Sequence, residues 1–433
     1  MEDGTSLLFA LPGYRVLDVA LGVDGGREVL AEVVDSEGGC PACGVVSSRV
    51  KDRPLSRVRD VPHGAVALRL RVRKRRFVCL EALCPRRSFT QASAQLPARS
   101  RVTTRLRERV GAAVAGANRA VSEVAAECGI AWATAHRILV LAATAAAGPA
   151  VPTAMIGIDE TRARSVRWTR EGDDGTGPWR RSDPWMTSIV DLDPGRPGGI
   201  IGLAAGRSGA SVEAWMTLQG NDFREAVRIV AIDPSAPYAS GIRRALPGAR
   251  IVVDHFHVVM LANQMVTDVR QRVSRDRHGR RGRKADPSWA NRQLLLRAGD
   301  RLGDKARARL DALFATDDPT GEIAAAWQCK ELLRRLLAAH GPTLHSRHRT
   351  AHHLTRFLTA CADAGLEETT RLATTVERWW PEIEGFLELG ITNARTEGHN
   401  RVIKQIKCVG CGFRNQANYE RRIMLHSATR RAA

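Results

Sequence analysis

Four short apolar runs, each closed by an aspartate, constrain this chain more than any other feature. Met155-Ile156-Gly157-Ile158 leads into Asp159, and Met186 to Val190 leads into Asp191. Arg228 to Ile232 leads into Asp233, and Ile251-Val252-Val253 leads into Asp254. Apolar runs of this length bounded by turn residues read as strands, and alternation with helical stretches implies an α/β sheet. Residues 260–385 lose the strand texture and read as helical, Leu/Ala/Arg-rich sequence with a very basic patch from Arg270 to Lys284. A last helix runs from about Asn393, a plausible N-cap, to Lys407. Glu397 sits near its start, and Asn400, Arg401 and Lys404 follow at i+3, i+4 and i+7 on the same face. Carboxylates at strand ends and on a crossing helix can converge on one face of a sheet. Three such oxygen ligands suit two Mg²⁺ ions, which stabilise the attacking and leaving oxygens of a phosphoryl displacement. Taken alone, the Glu397 face equally suits a surface salt-bridge network.

The front of the chain has different chemistry. Cys40-Pro-Ala-Cys43-Gly44 and Cys79-Leu-Glu-Ala-Leu-Cys84-Pro85 present two cysteine pairs. Two tight turns can each supply two thiolates to a tetrahedral Zn²⁺, and four thiolates leave no open position, so the site is structural. Leu68-Arg69-Leu70-Arg71-Val72-Arg73 alternates strictly, so one face can pack while Arg69, Arg71 and Arg73 line up for phosphate. Cys408 and Cys411 form a CxxC with no second pair, and they read as a helix end. Val121 to Leu139 has the layout of a helix-turn-helix: Ala125 for close crossing, Gly129 at the turn, and Ile130, Ile138 and Leu139 inward. Trp132, Thr134, His136 and Arg137 then occupy the N-terminal half of the second helix, where groove contacts are made. Any helical hairpin with a glycine turn can mimic this pattern. Lys+Arg number 66 against 46 Asp+Glu, a net charge of +20 that favours a polyanionic partner.

Together these pieces resemble the bacterial insertion-sequence transposases of the ISL3 family. The matching stretches are Ile156-Gly-Ile-Asp159-Glu160, Ala231-Ile-Asp233 with Tyr238-Ala239, Asp254-His-Phe-His257, Leu261-Ala-Asn263-Gln264, and Thr392-Asn-Ala-Arg-Thr-Glu397-Gly with Ile403-Lys404. The cysteine module and helix-turn-helix also stand where that family has them. The resemblance implies an RNase H-like core in which Asp159, Asp233 and Glu397 are the catalytic carboxylates and hold two Mg²⁺ (or Mn²⁺) ions. Asp254 and His257 match a D-x-x-H signature of related transposases. By spacing alone Asp254 is an alternative second metal ligand, but Asp233 ends its strand directly and has a turn after it. His257 then assists near the scissile phosphate or holds Asp254, and a purely structural histidine is the competing reading.

The expected organisation is multidomain α/β. It comprises a zinc-ribbon-like module (1–97), a helix-turn-helix domain (98–148), an RNase H-like α/β core (153–262), a helical insertion (263–388), and a return to the core over 389–433. The expected activity is cleavage at the ends of an insertion sequence and strand transfer into target DNA. The partners are terminal inverted repeats and target duplex, bound by at least a homodimer. The rivals are a non-catalytic DNA-binding regulator or decayed transposase, and a Mg²⁺-dependent nuclease that cuts without joining. Met1-Glu2-Asp3 opens no secretory signal, and the uncharged stretch Ile138 to Ile158 is broken by Gly148, Pro149 and Pro152. The expected setting is therefore the bacterial cytoplasm, at the nucleoid. The basic run Arg270 to Lys284 is expected either to touch DNA backbone or to be a solvated loop. Residues 161–185, with an acidic turn and two tryptophans, carry no reading.

Overall fold

The computed structural model describes residues 4–22, 25–64, 68–170, 176–339, 341 and 343–432. Two compact units emerge, Met1–Gly148 with Ile403–Ala433, and Pro149–Val402.

In the first unit, strands β1 (Tyr14–Leu21), β2 (Arg27–Val33), β3 (Leu55–Arg59) and β4 (Leu68–Arg73) form a sheet in the order β1-β2-β4-β3. The alternation in β4 is realised residue by residue: Leu68, Leu70 and Val72 are buried and the three arginines exposed. Its apolar side packs with Val16, Val29, Val58 and Leu96, as a period of two on a half-buried sheet requires. A separate three-stranded sheet, Val50–Asp52, Arg76–Val78 and Ser88–Thr90, backs the cysteine pairs with Phe77 and Phe89. Helix α1 (Thr104–Gly111) is capped by Thr103, whose side chain accepts from Leu106 N. Helices α2 (Val121–Glu127) and α3 (Trp132–Ala146) meet at 117°. Gly129 between them has φ +60°, a left-handed conformation that glycine adopts at least cost. Leu106, Val110, Val124, Ala125, Ile138 and Leu139 make one core with Leu425.

In the second unit, β5 (Met155–Arg162), β6 (Trp185–Asp191), β7 (Gly199–Ala205), β8 (Ile229–Ile232) and β9 (Arg250–Val253) form a sheet in the order β7-β6-β5-β8-β9. The first three strands are an antiparallel meander, and β8 and β9 run parallel to β5. Carboxylates that follow β8 and β9 therefore emerge at one end of the sheet, beside the later residues of β5. Helices α4 (Gly209–Leu218) and α5 (Ala236–Ala245) cover the sheet through Val212, Met216, Tyr238 and Ile242. Helix α6 (His255–His278) starts directly after β9. The longer helices beyond it are α7 (Asp304–Asp317), α8 (Glu322–Ala338), α9 (Leu344–Asp363), α10 (Glu367–Arg378) and α11 (Trp380–Leu389). The chain ends in α12 (Ala394–Val409) and α13 (Gln416–Ala432).

Two sequence expectations need adjustment, and two open stretches gain a description. Asp159 does not end its strand, because β5 stays paired to β6 as far as Arg162 while its parallel partner β8 stops opposite Ile158. Residues 389–433 do not all return to the sheet. Ile403 onward belongs to the first unit, where Arg422 donates to Asn118 Oδ1 and Arg119 O. The basic run is partly neutralised inside its own unit, while Arg275, Arg281, Arg283 and Lys284 stay exposed. Arg272 pairs with Glu322 and Glu368, Arg277 with Asp317, and Arg280 with Asp286, while Arg270 is buried. Within 161–185, Trp168–Arg170 pairs with Trp179–Arg181 as an exposed hairpin, and the acidic turn lies outside the described residues. Among the described residues no single helix is long and apolar enough to cross a membrane.

Candidate metal centres

The carboxylates separated widely in sequence meet at the end of the second unit's sheet. Asp233 follows the last residue of β8, and its Oδ2 lies 3.0 Å from His257 Nε2. The same nitrogen is 4.0 Å from Glu397 Oε1. Asp159 is held on both oxygens. Glu160 N donates to its Oδ1 at 2.7 Å and Asn400 Nδ2 to its Oδ2 at 2.7 Å. Ser188 Oγ donates to Asn400 Oδ1 at 2.8 Å, which fixes the orientation of that amide. Asn393 Nδ2 donates to Ile158 O at 3.3 Å and to Asp233 Oδ1 at 3.4 Å. Helix α12 is thus tied to β5 by Asn400 and to the end of β8 by Asn393.

A buried stripe explains why Glu397 stands at the rim. Thr396, Asn400 and Ile403, at i, i+4 and i+7, face inward, so Glu397, one position on from Thr396, is only partly covered. The helix approaches closely because residue 157 is glycine. A Cβ there would overlap Thr396 Oγ1 on α12 and sit 2.7 Å from Oδ1 of Asn393, the residue just before that helix. Gly157→Ala is therefore expected to push α12 off the sheet. It should lower stability by roughly 1–3 kcal/mol, the usual cost of overpacking, and abolish any activity that needs Glu397 beside Asp159. Urea unfolding and a cleavage assay check both outcomes.

The electrostatics favour a cation. Burial and then the charge of Asp233 raise the Asp159 carboxyl to about 6, well above its ordinary 3.8. Glu160 is raised by the same two causes, and the hydrogen bond to Asp233 raises His257. Asn393 Oδ1, Thr396 Oγ1 and His257 Nδ1 are buried with no hydrogen-bond partner in the structure. Like-charged carboxylates crowded at a partly dry site are an environment that a hard divalent ion relieves, and their oxygen donors suit it. The residues fit such an ion.

Asp254 is placed differently from Asp233. It is 3% exposed; its Oδ1 accepts from Phe256 N at 2.9 Å, capping α6, and its Oδ2 accepts from Asn393 N at 3.2 Å. Asp254, His257 and Glu397 do each offer one ligand atom within 4.8 Å of the others. Asp233 is nonetheless the freer ligand, since its side chain is 25% exposed and both Asp254 oxygens already serve backbone N–H groups. Asp254→Ala should then cost roughly 2–4 kcal/mol, from a lost cap and a buried N–H left unpaired. Asp233→Ala should cost far less. Paired urea melts distinguish the two, and equal stabilities would remove the scaffold role of Asp254.

Other residues singled out in the sequence divide in two. Asn400 is buried against Asp159 rather than turned outward, whereas Arg401 and Lys404 are exposed. In the first unit, Trp132 stacks on His136 at 4.7 Å and both line a cavity of about 370 Å³ with Phe413 and Arg422. Arg137 points to solvent and Thr134 is half-buried. Ser188, Gly157 and Thr396 went unnoticed in the sequence because nothing local marks them. Asn393 was visible only as a cap.

At the cysteines the fit is geometric. Cys40 and Cys84 sulfurs lie 3.9 Å apart, and those of Cys43 and Cys79 lie 3.6 Å apart. All four fall within 4.8 Å of one another. Tetrahedral Zn–S bonds of about 2.3 Å place sulfurs about 3.8 Å apart. The Ala42 N–H, with that of Cys43, holds the Cys40 thiol down to about 7, whereas burial and the neighbouring thiols push Cys43 and Cys79 up.

Comparison with known proteins bears on the family and on the cysteine module. Residues 177–423 match the ISL3-type DDE transposase family, and residues 36–84 match the zinc-finger of transposase IS204/IS1001/IS1096/IS1165. The transposase for insertion sequence element IS1001 of Bordetella parapertussis is 26% identical over 385 residues, spanning 87% of this chain and 86% of that protein.

Proposed function

The chain belongs to the ISL3 family of transposases, and on that premise we propose that it cuts DNA at the ends of an insertion sequence and joins those ends to a target duplex. The observation that carries this reading is the meeting of Asp159, Asp233, His257 and Glu397 at one end of a five-stranded sheet, whose order β7-β6-β5-β8-β9 supports reading it as an RNase H-like core. Asp159, Asp233 and Glu397 would hold two Mg²⁺ or Mn²⁺ ions. Bound there, the ions would lower the cost of forming the attacking oxygen and of releasing the leaving oxygen. The chain's own groups do the positioning. Asn400 keeps Asp159 aimed inward, and Asn393 holds Asp233 and Glu397 at one depth. Hydrogen-bonded to Asp233, His257 can shuttle a proton at Nε2 or orient that carboxylate.

DNA binding falls to the first unit. The Cys40/Cys43/Cys79/Cys84 knot is a structural zinc site, and α2 and α3 act as a helix-turn-helix, since 117° and a glycine turn suit that motif. Arg137 and Thr134 would approach the groove, while Arg401 and Lys404 would meet backbone phosphate near the carboxylates. Two ends must be joined, so at least a dimer assembles on DNA. Incubation of a pre-cut duplex end with a plasmid target and Mg²⁺ tests the reading. Covalent joining of its 3′-OH to the target supports a transposase, cutting without joining points to a nuclease, and binding alone points to a regulator.

A further inference from the structure

The sheet of the first unit carries its arginines on one face in a register that opposes its own stability. Arg57 on β3 stands directly across from Arg71 on β4, and Arg59 directly across from Arg69. Arg73 extends the row along β4. All five are exposed, while Val58, Leu68, Leu70 and Val72 between them face the core. Like charges directly opposite on antiparallel strands repel, and alternating acidic partners would remove the conflict at no cost to packing. The segment after the sheet adds another guanidinium. Arg59 N donates to Arg101 O and Thr103 N donates to Arg59 O, so Arg101 runs beside β3. A shallow groove of about 520 Å³ lies among these side chains, and among the described residues Glu28, 3.5 Å from Arg69, is the one carboxylate lining it. Arginines can also guard an exposed sheet edge against pairing. That does not account for β4, which is interior to the sheet, nor for β3, whose outer side already bonds to residues 101–103.

We infer that this face is a second DNA dock, which grips the phosphate backbone of a duplex and reads no bases. The inference deepens the transposase reading and rests on it. Guanidinium forks match phosphate oxygens bidentately, and a flat sheet face presents no protruding donor set to a groove floor. Glu28 and Glu32 on β2, across from Arg69 and Arg73, offset part of the conflict, and a bound polyanion relieves the remainder at Arg57, Arg59 and Arg71. The face supplies affinity, and α3 supplies discrimination.

The test uses the full-length zinc-loaded protein and a fluorescein-labelled duplex carrying the terminal repeat, with a scrambled duplex of equal length beside it. Anisotropy titrations across a KCl series give the slope of log affinity against log salt for wild type, for Arg57→Gln/Arg59→Gln/Arg71→Gln, and for the same three positions changed to Lys. Each phosphate contact contributes about 0.9 to that slope. The Gln variant should therefore lose about 2.7 of it and weaken on both duplexes alike, while its thermal midpoint stays or rises. The Lys variant should keep most of the slope. A folded Gln variant with an unchanged slope would overturn the dock while leaving the transposase reading intact. A loss confined to the terminal repeat would also overturn it, since the face would then read sequence. Failure of wild type to bind either duplex would sink both.

Discussion

Replacing Asp159 or Glu397 by its amide is expected to lower strand cleavage by on the order of 10³-fold or more, with end binding retained. The amide keeps the size of the group and removes the charge that a divalent ion needs. A metal-centred stabilisation of several kcal/mol, at about 1.4 kcal/mol per tenfold in rate, sets that scale. A second readout separates this from simple unfolding. The Asp159 carboxyl has a folded value of about 6, above its ordinary 3.8. The folded chain therefore binds its proton more tightly than the unfolded chain. Whatever stability that proton provides is complete below pH 4 and is lost as pH rises to about 6. Above pH 6 in EDTA, wild type bears a buried charge beside Asp233 that its two hydrogen bonds offset only in part. The Asp159→Asn variant should then melt at or above wild type, and the gap should open between pH 4 and 6. A variant that is inactive because it is unfolded would show the opposite.

Stripping zinc is the other large effect. The small core behind the cysteines consists of Cys40, Phe77, Cys84 and Phe89, with Val50 and Cys79 at its margin. Two of its four fully buried members are themselves ligands, so little apolar packing remains without the metal. Apparent binding free energies for structural zinc run about 10–16 kcal/mol near neutral pH, and this energy is folding energy. Cys84→Ser, or a strong chelator, is expected to unfold the cysteine-bearing segments over residues 38–52 and 76–90 and to weaken binding to DNA. The sheet at the second unit should keep its thermal transition, because its core shares no residue with the zinc module. Limited proteolysis with zinc quantification checks this. An intact, zinc-free protein that still binds the repeat would rule out a structural role for the metal.

The sequence made these two centres legible to different degrees, for physical reasons. The cysteine pairs were plain because ligand spacing is local, and two turns suffice to build the site. The β4 face was equally plain, since a period of two needs no partner to be read. Asp159, Asp233 and Glu397 stood out as carboxylates at element ends, and family resemblance linked them. What could not be read was how they are held. The bonds Asn400–Asp159 and Ser188–Asn400 join residues distant in the chain, and each partner alone is an ordinary polar residue. Gly157 looked like one more small strand residue, yet it sets the approach of α12 through a Cβ it lacks. Asn400, Arg401 and Lys404 were assigned one face from helical spacing. Tertiary packing buries the first and exposes the others, which no periodicity could reveal. The ion pairs within the run from Arg270 to Lys284 are illegible for the same reason, because the acidic partners Glu322, Glu368, Asp317 and Asp286 come later in the chain.

The most direct test of the carboxylate centre is a supercoiled plasmid bearing both ends of the element, incubated with Mg²⁺ and either wild type, Asp233→Asn or Asp254→Asn. Metal binding by Asp233 predicts that wild type releases and joins the ends, and that Asp233→Asn, folded and bound to the same ends, does neither. Asp254→Asn should lose stability first and activity in proportion to the folded fraction. Cleavage by Asp233→Asn at the wild-type rate, or a wild type that binds the ends and never cuts them, would contradict that role.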